Sequence, residues 1–221
     1  MIYADHKWWA PVLFDPYLRR IFKKDYSRFY VSNEIPAIPE EKGLLITPNH
    51  ISWWDGFFIY YCMKHFSSRE IYLMMLQEQL CSIRFFRFMG AYSIDPGYRS
   101  RVKESLDYTR KTLMKKNAYT VIYPQGEIVP QDTAPLRFQR GILSVLRTLD
   151  PPVLLMPVIF LVKPYNERYP EIWCRFGEPH SSDTVCADFT AYEEAANREL
   201  GKLQESVLHR QYVTDLFADK R

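Results

Sequence analysis

Short apolar runs at residues 44–47, 71–75, 91–94, 119–123, 154–162 and 172–176 alternate with segments of helical periodicity. Each run is long enough for a buried strand and too short for a core helix. The helical segments are 54–65, 102–113, 141–149 and 192–209. In the second of these Val102, Leu106, Thr109 and Leu113 share a face; in the last Ala196, Leu200, Leu203 and Val207 do. Such alternation predicts an α/β fold, a largely parallel central sheet flanked by helices. At 221 residues with 47% apolar content, the chain supports one sizeable core. Neither an internal repeat nor a low-complexity tract interrupts it.

Residues 1–35 differ from the rest. Nine of the first thirty are aromatic, against 16% overall. Leu18, Ile21, Phe22, Tyr26 and Phe29 recur at helical spacing, with Arg19, Arg20, Lys23 and Lys24 on the other side. This is the pattern of an amphipathic helix lying on an anionic lipid surface. It is equally that of a terminal helix packed on the core with a solvated basic face. Pro36 and Pro39 mark a linker over 33–42, leaving 36–221 as the main domain. A net charge of +3 is too weak to argue for nucleic acid. The longest apolar run, 153–162, is half what a membrane-spanning helix needs, roughly 20 residues. Residues 1–10 lack the basic and apolar regions of a signal peptide. Cys62, Cys81, Cys174 and Cys186 show no metal-ligand spacing and suit reduced thiols in a cytoplasmic compartment. Together these features predict a protein that does not span a bilayer but can lie on the cytoplasmic face of one.

In a parallel sheet, ligands collect beyond the carboxyl ends of the strands. Polar signatures fall there after three runs: Asn49-His50, Asp95-Pro96 and Pro124-Gln125-Gly126-Glu127. His50 and Asp55, five residues apart, would point about 140° apart within one helix. They meet if His50 lies in the turn before a helix and Asp55 in its first turn. Pro48 disfavours helix before itself, and Ser52 with Asp55 has capping-box spacing. A carboxylate on one imidazole nitrogen would fix the tautomer and leave the other nitrogen to take a proton. Asp55 as a mere cap and His50 as a structural histidine remain open from the spacing alone. Ser52 lacks the Gly-x-Ser-x-Gly setting of a nucleophile, and no second histidine has metal-ligand spacing.

The stretch "NHISWWD" resembles the first block of the glycerolipid acyltransferase family. These are membrane-associated enzymes that acylate glycerol phosphate and lysophospholipids. Further blocks follow in the family's order. "FMGAYSIDP" (88–96) is similar to the second, "VIYPQGE" (121–127) to the third, "RFQRGI" (137–142) to the basic segment after it and "LLMPVIF" (154–160) to the fourth. The resemblance spans roughly residues 42–162. It implies the acyltransferase fold, with His50 as general base and Asp55 orienting it. It also implies an acyl thioester donor (acyl-CoA or acyl-carrier protein), a lipid hydroxyl as acceptor and no metal or redox cofactor. Gln125, Gly126 and Glu127 would then form the oxyanion and substrate-binding loop. The family's phosphate-binding arginines fall here at Pro96 and Ile128, so Arg99, Arg101, Arg137 and Arg140 are the candidates to replace them. The altered third block also fits a catalytically idle lipid-binding member, and water as acceptor would make a thioesterase.

Overall fold

The computed structural model describes residues 1–218. Its centre is β2 (Leu44–Pro48), buried at every position. It pairs in parallel with β5 (Ala118–Val121) on one side and β6 (Leu154–Lys163) on the other. Beyond β5 come β3 (Glu70–Leu76) and then β4 (Ala91–Ile94), both parallel. Beyond β6 the sheet turns antiparallel at β7 (Glu171–Phe176), which β1 (Arg28–Val31) joins in parallel. The short β8 (His180–Ser181) pairs antiparallel with β6, and β9 (Thr214–Asp215) closes the far edge against β1. The expected α/β architecture is therefore present, with antiparallel additions at one side.

Strand alternation divides the core in two. Ile46, Val121, Met156, Val158 and Phe160 point to one face of the sheet. They meet α1 (Trp9–Asp25), α2 (Asp55–Phe66) and a 3-10 segment, Arg84–Met89. Leu45, Leu155, Ile159, Leu161 and Trp173 point to the opposite face. That face is covered by α4 (Arg99–Leu113), α5 (Leu143–Leu146), α6 (Ser182–Ala187) and α7 (Phe189–Leu208). The remaining helix, α3 (Gln77–Ser82), follows β3. Burial on both faces explains why the central strands read as continuous apolar runs. The expected helix over 141–149 is shorter than its pattern: a 3-10 turn, Arg140–Ile142, leads into the single turn of α5.

The N-terminal segment is not separate from the sheet. Phe29 and Val31 of β1 are buried, in register with Ile172 and Cys174. The side of α1 carrying Leu18 and Phe22 packs on α2, with Phe22 against Phe58 and Tyr61. Those side chains face protein, not solvent. A different face of α1, with Trp8 just before it, leaves Trp8, Val12, Leu13 and Tyr17 exposed. The cysteines also divide. Cys62 and Cys174 are core thiols with their sulfurs 3.9 Å apart, Cys186 is half-buried and Cys81 is exposed. Among the described residues no helix is long and apolar enough to cross a membrane.

Candidate active site

β2 ends at Pro48, and the seven residues that follow hold the His50–Asp55 pair. Asn49 is buried; its side chain accepts from the Phe160 N–H (2.7 Å) and donates to the Phe160 C=O (2.9 Å). The amide thus continues the β2–β6 ladder with a side chain after the backbone has left it. His50 follows, and α2 begins at Asp55.

Asp55 is fully buried and receives four donors. The Ile51 N–H (2.6 Å), the Ser52 N–H (2.8 Å) and His50 Nδ1 (2.9 Å) meet Oδ2, and the Ser52 hydroxyl (2.8 Å) meets Oδ1. Ser52 also accepts from the Trp54 N–H at 3.1 Å, so it caps the start of α2 as its spacing indicates. The two backbone amides can only donate, so Oδ2 is an acceptor. In the neutral ring the hydrogen then sits on Nδ1, facing that oxygen, and the lone pair on Nε2. The His50 side chain is 22% exposed, and Nε2 bonds to no described residue. The pair thus leaves one imidazole nitrogen anchored and the other open.

The loop after β5 grips His50 at three points. Gln125 Oε1 accepts from the His50 N–H at 2.6 Å. The Val129 N–H donates to the His50 C=O at 2.9 Å. The Tyr123 ring stacks on the imidazole, centroids 4.3 Å apart and planes 26° apart. The Tyr123 hydroxyl is buried and bonds to no described residue. Burial, and secondarily the Asp55 charge, push its pKa well above the usual phenol value, so it stays neutral. Neither Gln125 nor Asn49 can be assigned these roles from sequence, because each bonds to backbone far away along the chain.

The loop expected to bind substrate, with Gln125, Gly126 and Glu127, runs beside His50. Gln125 is buried against His50 and anchors it. Gly126 closes a turn by donating its own N–H to the Tyr123 C=O (3.1 Å). Its φ of +77° and the Gln139 side chain, 3.3 Å from where a Cβ would sit, explain the glycine. Glu127 and Ile128 are exposed, and their backbone N–H groups bond to no described residue. These two amides lie between Gly126 and Val129, whose own N–H bonds His50.

Among the described residues none of the candidate arginines bonds to His50 or Asp55. Arg101 bonds Asp95 at 2.6 Å and lies over the Tyr98 ring. The Arg101 bond comes first, with the Gly97 N–H helping, in holding the Asp95 carboxyl below its ordinary range; desolvation opposes them. Both sit after β4, three strand positions from β2 and so roughly 14 Å away at about 4.8 Å per strand. Arg99 is exposed on the same α4 turn. Arg137 is held by Glu193 of α7 at 3.0 Å. Arg140 is exposed, but its neighbour Gln139 donates to the Pro124 C=O at 2.7 Å, beside the grip on His50.

A sequence model of the family described as Acyltransferase matches residues 28–160. The fold is similar to the crystal structure of the 1-acyl-sn-glycerophosphate (LPA) acyltransferase PlsC from Thermotoga maritima. The TM-score is 0.59 at 14% identity, over 88% of this chain and 78% of that one. No curated protein matches the chain in sequence. The family match covers β1 to β6, and with them His50, Asp55 and the loop that grips His50. On that match the chain belongs to the acyltransferase family.

Proposed function

We propose that the protein moves a fatty acyl group from an acyl thioester, acyl-CoA or acyl-carrier protein, to the hydroxyl of a lipid at a membrane surface. The observation that carries this reading is the His50–Asp55 pair, with Nδ1 anchored at 2.9 Å and Nε2 open. His50 Nε2 takes the proton of the acceptor hydroxyl as its oxygen attacks the thioester carbonyl. The Glu127 and Ile128 amides stabilise the tetrahedral oxyanion. The C–S bond then breaks, and the imidazolium returns its proton to the leaving thiolate. Asp55 keeps the tautomer and stabilises the transient imidazolium. No metal or redox group is needed for this sequence of steps.

The T. maritima protein is a 1-acyl-sn-glycerophosphate acyltransferase. Here Pro96 and Ile128 replace the arginines that bind phosphate in such enzymes, and Arg101 and Arg137 are engaged by carboxylates. The acceptor in this reading is a larger lipid with a neutral reacting hydroxyl, such as a glycolipid, or a lysophospholipid whose phosphate sits elsewhere. The exposed Trp8, Val12, Leu13 and Tyr17 support contact with the membrane that holds it.

The test is thioester cleavage followed with a chromogenic thiol trap, with and without lipid hydroxyls. Release that requires a lipid acceptor and disappears in His50→Ala supports transfer. Release undiminished without any acceptor indicates a thioesterase, and no release from any thioester indicates an idle lipid-binding member. Glycerol 3-phosphate outcompeting neutral lipids would overturn the acceptor assignment.

A further inference from the structure

Between α1 and α2 lies a cleft of about 480 Å³, lined from α1 by Arg19, Arg20 and Lys23 and from α2 by Tyr60, Tyr61 and Lys64. Its one lining carboxylate is Asp15, already paired with Lys64 and bonded by the Tyr60 hydroxyl at 2.7 Å. Arg19 is steadied by the Tyr61 hydroxyl. Among the described residues no carboxylate pairs with Arg19, Arg20 or Lys23. Among the described residues, three cations thus border one concave space without a carboxylate of their own. Cations near a helix C-terminus also answer the helix dipole, but that effect fades beyond the last turn. Arg19 and Arg20 lie further back on a helix that ends at Asp25.

We infer that this cleft binds the phosphate head group of an anionic membrane lipid, away from the reacting centre. Guanidinium forks match phosphate oxygens bidentately, which suits Arg19 and Arg20 to that ligand. A lipid, rather than a free phosphate ion, is indicated by what stands beside the cations. Trp8, just before the same helix, and Val12, Leu13 and Tyr17, toward its N-terminal end, are each 60% or more exposed. An inorganic ion makes no use of them, while a bilayer takes the apolar half and the cationic half together. Lys64 is nine residues beyond Asp55, roughly 14 Å along α2 at 1.5 Å per residue. A lipid held there would seat the start of α2, and the dyad with it, over the bilayer without entering the reacting site. The inference rests on the interfacial reading of α1 and not on the chemistry of His50.

The experiment is co-sedimentation of the full chain with phosphatidylcholine vesicles, with and without phosphatidylglycerol, at low salt. The variants are Arg19→Gln/Arg20→Gln/Lys23→Gln and the milder Arg20→Gln/Lys23→Gln, which leaves the Arg19–Tyr61 contact in place. A control, Lys103→Gln/Lys111→Gln/Lys116→Gln, removes the same charge from exposed sites around α4. The triple cleft variant should lose the phosphatidylglycerol-dependent affinity by about tenfold or more, and the control much less. The milder variant should fall between them. Equal losses in cleft and control variants would overturn the cleft and leave diffuse attraction. Wild-type protein that ignores both vesicles would overturn the interfacial reading as well. Inorganic phosphate that binds wild-type protein and displaces it from vesicles at low millimolar concentration would overturn the lipid as ligand. His50→Ala, which should bind vesicles as wild type does, separates these outcomes from failure of the transfer chemistry.

Discussion

The loops after β2 and β4 leave the same end of one parallel sheet, and each carries an aspartate facing a basic partner. Their surroundings are opposite. Asp55 is wholly buried, meets four donors and orients an imidazole that is itself held by the loop after β5. Asp95 sits among exposed neighbours and meets Arg101, half solvent-exposed, and the Gly97 amide. A pair in the interior is preorganised and resists replacement, because removing one partner leaves desolvated donors unanswered. A pair at the surface is in competition with water and salt. The difference shows which of two similar aspartates the chemistry can depend on.

The comparison is tested hardest at the dyad. His50→Ala should lower transfer by at least about 10²-fold, since the base is gone. Asp55→Asn should lower it by about 10²- to 10⁴-fold, because the amide removes the charge that supports the imidazolium. The fold should survive, because the asparagine oxygen can face the Ile51 and Ser52 amides while its NH₂ donates to the Ser52 hydroxyl. Circular dichroism beside single-turnover rates checks both, and wild-type turnover in either variant would remove the dyad from the mechanism.

A smaller effect is expected one step back, at Gln125. Gln125→Leu leaves the His50 N–H without its acceptor, which removes about 1–3 kcal/mol of local stabilisation and roughly tenfold in rate. Gln125→Glu, restoring the carboxylate common in the family, should keep the rate. A rate in Gln125→Leu equal to that of Gln125→Glu would mean that the grip on His50 is not used.

Smaller still is Tyr123. Its buried hydroxyl makes no bond to a described residue and stays neutral, so Tyr123→Phe should leave the pH–rate profile unshifted and stability equal or slightly higher. A shifted profile would give that hydroxyl a part in the proton transfer. The smallest effect is at the surface pair. Arg101→Gln should leave thermal midpoint and turnover with a neutral lipid acceptor unchanged. A selective loss of turnover with phosphorylated acceptors would bring Arg101 into the acceptor site and erase the contrast between the two loops.

The N-terminal segment shows what helical spacing leaves open. Its aromatic and cationic spacing was real, but Leu18 and Phe22 face α2 and Phe29 belongs to a strand. Removing residues 1–30 would therefore take out most of β1 and much of one core, not a detachable anchor. Helical periodicity identifies an apolar face and says nothing of whether protein or lipid covers it. Four residues of β1, flanked by Ser27 and Ser32, are too short a run to announce a strand whose partner, Glu171–Phe176, lies some 140 residues away.

Much of the site was nonetheless determined by the sequence alone. The strand–helix alternation required a parallel sheet, a parallel sheet directs ligands to its carboxyl end, and the His50–Asp55 spacing across a helix start permits one geometry in which they meet. Local chemistry was enough there because all the parts lie within eight residues of Pro48. Only the tertiary structure decided what holds His50, which loop amides remain unpaired among the described residues and which arginines are already engaged. Each of those depends on a partner distant in sequence: Gln125 on His50, Val129 on His50, Glu193 on Arg137. Hydrogen bonds of that kind leave no periodicity in the chain. They arise when β2 and β5 become neighbours and burial obliges every polar group between them to find a partner.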